Sequence, residues 1–285
     1  MPRTQDAVLS VQSHVAFGHV GNSAAVLPLQ RLGLDVFPVH TVQLAHHPGY
    51  GAWRGHQVEA ERIEEILSGL REIGALRRCA ALLSGYLGQA AVGQPLLRAL
   101  QMLRRERADA LYLCDPVIGD DDAGIFGAAG VPELLRDRLV PAADIITPNR
   151  FELAWLAKRD VQDLDAALAA ATALRGRGPD VVIATSLPLG AGELGVLAAS
   201  ADGAWLVRTP HRPDVPHGTG DVMSALFLGH YLKGRNLPQA LERSVSAMYA
   251  LIERTLELGA DELRLVAAQD ALAADDVRFA ATRLS

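Results

Sequence analysis

Six short, mostly apolar runs recur along this chain, with longer stretches of helical periodicity between them. They are AVLSVQ (7–12), DVFPVH (35–40), AALLSG (80–85), ALYLC (110–114), DIIT (144–147) and DVVIAT (180–185). The stretches near 21–33, 59–72, 89–106, 131–139, 150–157 and 163–176 read as helices. Such β–α alternation leaves few architectures open. Parallel neighbours need a crossover, and the crossover helices must cover the faces of the sheet. Runs that do not alternate with polar residues fit strands buried on both sides.

The pattern changes after residue 190. ELGVLAAS and GAWLVRT flank ADG, which predicts a hairpin and an antiparallel edge. A helix to about 234, a long helix near 238–258 and a short terminal helix follow. The chain carries no internal repeat and no low-complexity linker. We therefore predict one domain, residues 1–285, of the α/β class: a three-layer α/β/α sandwich around a mainly parallel, doubly wound sheet.

Composition narrows the function. The chain has 285 residues, is 49% hydrophobic and 21% charged, and carries a formal charge of −6. Those values fit a globular protein, and the acidic balance, without any Lys/Arg cluster, speaks against a nucleic-acid partner. No stretch approaches the length of a membrane span, and the N-terminal residues lack the apolar core of a signal peptide. Cys79 and Cys114 both lie in apolar runs and read as free buried thiols. A cytoplasmic protein is expected.

In open parallel sheets, ligands bind beyond the carboxyl ends of the strands. Here those ends carry polar, Gly- or His-bearing segments: SHVAFGHVGN, TVQLAHHPGYGAW, Gly85 with Tyr86, DPVIGDDDAG, PNRFE and TSLPLGAG. The chain has no GxxxxGK(S/T) loop, so a nucleotide must be held by another device. PDVPHGTGDVMSALFLGHYLKG (213–234) offers one. Unpaired N–H groups at a helix start, with the positive end of the helix dipole, attract an anion. Gly218, Thr219 and Gly220 would cradle it, and Asp221 could take a proton from an attacking hydroxyl. The plainer reading makes Asp221 a helix-terminus acid and the glycines a turn.

Asn149 and Glu152 sit three residues apart after a buried strand. They either share one helix face and hold magnesium through its waters, or serve as an N-cap and a first-turn acid. Asp115 directly follows an apolar strand. With Glu152 and Asp221 it would complete a ring of acids around a cation. The adjacent His46 and His47 read as surface loop residues, and Asp120–Asp122 as a solvated loop tip or flap.

Taken together, VLSVQSHVAFGHVGNSAAVLPLQRLGLDVFPVHTVQ, GYGAWRG, LLSGYLG, CDPVIGD, ADIITPNRFEL and GTGDVMSA resemble the pyridoxal kinases of the ribokinase-like superfamily, in order and spacing, from about residue 7 to about 270. The resemblance implies ATP-dependent phosphorylation of the 5′-hydroxymethyl group of pyridoxal, pyridoxine or pyridoxamine, with Asp221 as general base and the amides around Gly218–Gly220 as anion hole. It implies a vitamin pocket of Ser13, Val20, Thr41, His47, Pro48, Gly49 and Tyr86. It places ATP near Asp115, Thr147, Asn149, Glu152, Thr185 and the segment Thr209, Pro210, His211, Arg212. Mg2+ would be held by Asp115 and Glu152, largely through water, with a monovalent cation as a further ion. A homodimer is implied as well. The chain departs from the family pattern at His46-His47-Pro48, where relatives commonly show Asn-His-Thr, and at Thr185, where many bacterial relatives carry Lys. Two other readings follow: a kinase of another hydroxymethyl heterocycle, such as the thiamine-precursor pyrimidine, and a catalytically weak pyridoxal-phosphate carrier or sensor.

Overall fold

A computed structural model describes residues 6–274 and 276–284, so the first five residues, 275 and 285 of the expected domain lie outside the described chain. The β–α units form as the periodicity predicts. In order they are β1 (Ala7–Val15), α1 (Asn22–Arg31), β2 (Asp35–Leu44), β3 (Gly55–Gln57), α2 (Ala60–Glu72), β4 (Cys79–Ser84), α3 (Gly93–Glu106) and β5 (Leu111–Cys114). A small hairpin of β6 (Gly119–Asp120) and β7 (Gly124–Ile125) follows. Next, α4 (Val131–Leu134) passes through a π-turn at Leu135–Leu139 into α5 (Val140–Ala142). Then come β8 (Ile145–Ile146), α6 (Arg150–Ala157), α7 (Leu164–Arg175), β9 (Val181–Gly190), β10 (Glu193–Ser200) and β11 (Gly203–Pro210). The chain closes with α8 (Thr219–Gly234), α9 (Leu237–Glu257), α10 (Gln269–Leu272) and β12 (Thr282–Arg283).

Ten strands make one sheet in the order β12-β11-β10-β9-β8-β5-β4-β1-β2-β3. The centre, from β2 to β9, is parallel. The predicted hairpin β10–β11 is antiparallel, as are the β9–β10 pair and the two edge pairs β11–β12 and β2–β3. The short edge strands β3 and β12 were not foreseen. At three and two residues they carry almost no periodicity of their own, and only the neighbouring strand makes them strands.

Two separate cores explain why the strands read as unbroken apolar runs. Along β1, Ala7, Leu9 and Val11 face a core shared with α2, α3, α6 and α7, while Val8 faces the core shared with α1, α8, α9 and α10. In β5, Tyr112 and Cys114 turn one way and Leu113 the other. Each strand thus has two buried faces. Both cysteines are buried and free, and burial pushes each thiol up to about 12, which leaves them unreactive. None of the helices among the described residues is long and apolar enough to cross a membrane.

Several strands run further than their apolar cores indicate. β1 and β2 continue to Val15 and Leu44, so Ser13 and Thr41 are strand residues. β9 continues to Gly190, where TSLPLGAG was expected to be loop, because antiparallel pairing with β10 carries it on. Thr185 therefore sits within a strand.

Candidate active site

The carboxyl ends of the parallel strands converge on the start of α8. Gly218, its N-cap, adopts φ 94° in the left-handed region and offers no side-chain cap. A Cβ on Gly218 would lie 1.9 Å from the His19 carbonyl oxygen. This glycine is therefore required by a close approach of protein backbone, rather than by the ligand clearance expected from the sequence. Gly220 is different. Only the Asp115 carboxylate, 4.0 Å away, approaches the place of its missing Cβ, so the backbone there is open on the site side. The first intrahelical bond runs from Val222 N–H to the Gly218 carbonyl at 3.1 Å, which leaves the preceding N–H groups without helical acceptors.

Asp221 stands in the first turn of α8 and is half-buried. Desolvation by the surrounding protein pushes its carboxyl up to about 6, against hydrogen bonds from its own N–H and that of Gly21. One turn on, the Ser224 hydroxyl donates to Asp115 at 2.9 Å and lies 2.8 Å from the Thr147 hydroxyl. Asp115 is 5% exposed, held by its N–H to the Ser84 carbonyl at 2.8 Å. Burial first, then the charge of Asp221, pushes its carboxyl up to about 7.

Glu152 is the third acid. It is buried, and desolvation together with the charge of Asp115 raises it well above the usual carboxylate range. Its relation to Asn149 is the capping one. The Asn149 side chain accepts from Glu152 N–H at 2.9 Å, and the Glu152 carboxylate accepts from Asn149 N–H at 2.9 Å. Glu152 also accepts from Ile118 N–H at 2.9 Å, and the Asn149 amide donates to the Gly119 carbonyl at 2.8 Å. The two residues reach across a helix start to each other instead of presenting one face together. Glu152 is thereby fixed beside Asp115. Among the described residues, no group of three or more His, Cys, Asp or Glu side chains is placed to cage a metal ion directly.

The same capping motif anchors the acidic hairpin. Asp121 pairs with Arg150 through both carboxylate oxygens, one at 3.0 Å, so this tip is tied to α6 while 121–123 stay exposed, as expected of a solvated tip. Thr147 is buried beyond β8, and Thr185 N–H bonds the Pro148 carbonyl at 2.9 Å on the same side. Thr209 and Pro210 end β11, and His211 N–H bonds the Gly192 carbonyl at 2.7 Å. Arg212 is turned away to Glu253 on α9, 3.0 Å off, with its guanidinium over the Tyr249 ring.

On the other flank, Ser13 packs against the loop that enters α1; a Cβ on Gly21 would be 2.2 Å from its hydroxyl. Beneath it lies a buried polar network. Ser10 donates to Asn22 at 2.7 Å, and Gln12 donates to Ser10 at 2.8 Å. Thr41 is wholly buried, and its hydroxyl donates to the Tyr86 carbonyl at 2.6 Å. The bond ties β2 to the Tyr86 loop. Val20 is likewise almost fully covered. His47 caps the turn Pro48–Tyr50, accepting from Gly49 N–H at 3.0 Å, and stacks on His217 at 4.2 Å between centroids. Burial first, then His217, lowers its pKa. The pair is thus no stray surface feature.

Ser224, Gly21, His217 and Glu262 were missed by the sequence reading. Ser224 lies three residues past Asp221 and His217 directly before Gly218, so both had a positional signal. Glu262 stands 41 residues past Asp221, in no recognisable pattern.

The family model described as phosphomethylpyrimidine kinase matches residues 56–265. The pyridoxal kinase PdxY of Rubrobacter xylanophilus is 50% identical over 98% of this chain and 97% of its own length. The corresponding protein of Deinococcus radiodurans is 46% identical over 97% and 96%. The chain belongs to the pyridoxal kinases. Among solved structures, the pyridoxal kinase from Leishmania donovani in complex with ADP and ginkgotoxin superposes with a TM-score of 0.93 at 31% identity, covering 99% of this chain and 100% of that one. The pyridoxal kinase from Entamoeba histolytica, at 24% identity and TM-score 0.92, shares the ribokinase-like fold. The α/β/α sandwich and the kinase assignment read from the sequence both stand.

Proposed function

We propose that this kinase transfers the γ-phosphoryl group of ATP to the 5′-hydroxymethyl oxygen of pyridoxal, pyridoxine or pyridoxamine, with Asp221 as general base. The observation that carries the reading is the convergence of Asp221 with the open backbone at Gly220 and the Asp115–Ser224–Thr147 group. Asp221 accepts the proton of the alcohol as its oxygen attacks phosphorus and the bond from γ-phosphorus to the β–γ bridging oxygen breaks. The N–H groups around Gly218–Gly220, at the positive end of α8, face the negative charge of the transferring group. A carboxyl pushed up to about 6 is ionised at neutral pH and yet a better base than an ordinary aspartate.

The donor set fits a divalent cation. Asp115 and Glu152 are two buried carboxylates; burial raises the proton affinity of both, the charge of Asp221 adds to it at Asp115 and the charge of Asp115 at Glu152, so ionising them together calls for positive charge. One or two carboxylates plus waters and substrate phosphates is how Mg2+ is commonly held. Mg2+ there would neutralise phosphate charge. Asn149, through the capping box, keeps Glu152 aimed at that position. Thr147, Thr185 and Thr209–His211 border the nucleotide side in this reading, and Ser13, His47–Gly49 and Tyr86 the vitamin side. The homodimer, the monovalent cation and the cytoplasmic location belong to the same proposal; sedimentation and potassium dependence test the first two.

The decisive assay is ATP consumption by the purified protein with Mg2+ against each vitamer and the thiamine-precursor pyrimidine separately. Turnover with a pyridine vitamer, abolished by Asp221→Asn, is expected. Turnover with the pyrimidine alone would replace the substrate. Tight pyridoxal binding without turnover would make the chain a carrier.

A further inference from the structure

Glu262, in the segment after α9, gathers three parts of the site that are far apart in sequence. One carboxylate oxygen accepts the His19 N–H at 3.0 Å; the other accepts the Tyr50 hydroxyl at 2.7 Å. Gly18 is held so close that a Cβ on it would lie 2.5 Å from the carboxylate, and its φ of 89° suits only glycine well. The next residue, Leu263, is fully buried and approaches Gly218, which pins Glu262 to the core.

Both partners of Glu262 lead back to the chemistry. His19 belongs to the short loop Gly18–Gly21. Its carbonyl abuts Gly218, and two residues on, the Gly21 N–H donates to the Asp221 carboxylate. Tyr50 ends the turn capped by His47, whose ring stacks on His217 beside the same helix start. Tyr50 also meets Phe17 edge-on at 5.9 Å and His46 at 5.5 Å. The Tyr50 phenol, pushed up to about 12 by its bond to Glu262, remains a donor throughout the neutral range.

We propose that Glu262 is a positioning residue of this kinase: its carboxylate clasps the Gly18–Gly21 loop and the Pro48–Tyr50 turn together, and so sets where Asp221 meets the alcohol. The clasp rests on the reading that Asp221 is the base and that Pro48–Tyr50 borders the alcohol. It acts at the vitamin side and the start of α8, and no side-chain hydrogen bond joins His19 or Tyr50 to the nucleotide-side residues Thr147, Asn149, Glu152 or Thr185. A hydrogen bond from a neutral donor to a carboxylate is stronger than a neutral pair, and misplacing a reacting group by a fraction of an ångström is felt in the rate.

The test compares Glu262→Ala, Glu262→Gln, Tyr50→Phe and the double variant Glu262→Ala/Tyr50→Phe. We expect Glu262→Ala to lower kcat/KM for the vitamer about tenfold or more, while KM for ATP moves by less than about twofold. Glu262→Gln, which keeps an acceptor in place, restores most of the loss. Tyr50→Phe raises the vitamer KM with little change in kcat, and adds nothing on top of Glu262→Ala, because both remove one interaction. Amide hydrogen exchange on the free protein supplies a readout independent of turnover. Glu262→Ala should speed exchange in 16–21 and 46–51 and leave the central strands unchanged. Unchanged exchange in both loops, or an equal loss in ATP KM together with faster exchange across the whole chain, would overturn the clasp. If the wild type phosphorylates no vitamer, the proposed function falls, and the exchange measurement alone still decides whether Glu262 holds the two loops.

Discussion

Asp115 should make the unliganded protein less stable than it could be. Its carboxyl is pushed from an ordinary 3.8 up to about 7, by burial first and then by the charge of Asp221. That rise is about three powers of ten in the ionisation constant, or roughly 4 kcal/mol by which the folded state disfavours the charged form. The penalty is absent below about 3.8, where folded and unfolded chains are both protonated, and it is complete only once pH exceeds about 7. Asp115→Asn removes the charge and keeps an oxygen for the Ser224 hydroxyl at 2.9 Å. The new amide must also find a partner in a buried place, so about half of the gain, ~2 kcal/mol, is expected to survive. For a chain of this size that raises Tm by roughly 3 °C at about pH 8. Near pH 5, little more than one power of ten above 3.8, the relief is only roughly 1.6 kcal/mol and the amide cancels it, so Tm should scarcely change there. Thermal unfolding of both proteins without nucleotide or metal, across that pH range, measures it. The same variant should lose most of its turnover and most of any stabilisation by Mg2+ with ATP. If Asp115→Asn lowers Tm equally at both pH values, Asp115 is a structural acceptor and the electrostatic reasoning is refuted.

Three further outcomes follow from the site. Because Asp221 must be ionised to act, vitamer kcat/KM should hold above about pH 6 and fall about tenfold per pH unit below it, and Asp221→Asn should lose about 10²–10⁴ in rate and the acid limb with it; the pH–rate profile checks both. Gly21→Ala should abolish measurable vitamer binding by calorimetry, since the backbone sits at φ 55° and the new Cβ would lie 2.2 Å from the Ser13 hydroxyl. Asn149→Ala should cost about 1 kcal/mol in denaturant midpoint through the lost cap, and should raise the ATP KM more than the vitamer KM as Glu152 is freed.

The layered fold was legible in the sequence because burial on both faces removes polar alternation from a strand, as in Leu111–Cys114, and the helix periods between the strands mark the crossovers. The acids were legible too, since Asp115, Glu152 and Asp221 each sit at the end of a strand or the start of a helix, where open sheets place their ligands. Which way those side chains turn was not. Asn149 and Glu152 read either as a metal-facing pair or as a capping pair, and it took the helix start, with Ile118 and Gly119 donating to Glu152, to show that they cap it. Gly218 could be picked out as special, but the reason for it, the His19 carbonyl lying against it, needed the folded chain.

Local sequence determines what a residue can do within about one helical turn or one strand step, through propensity, periodicity and capping. It places Asp221 in the first turn of a helix and Ser224 beside it. It says nothing about contacts whose partners are brought together by topology alone. Glu262 meets His19 across 243 positions and Tyr50 across 212, Ser224 meets Asp115 across 109, and His47 stacks on His217. Those meetings arise because β1, β2 and β5 all point their carboxyl ends at one helix. The chemistry of the site was written in the chain; its geometry was decided by the sheet.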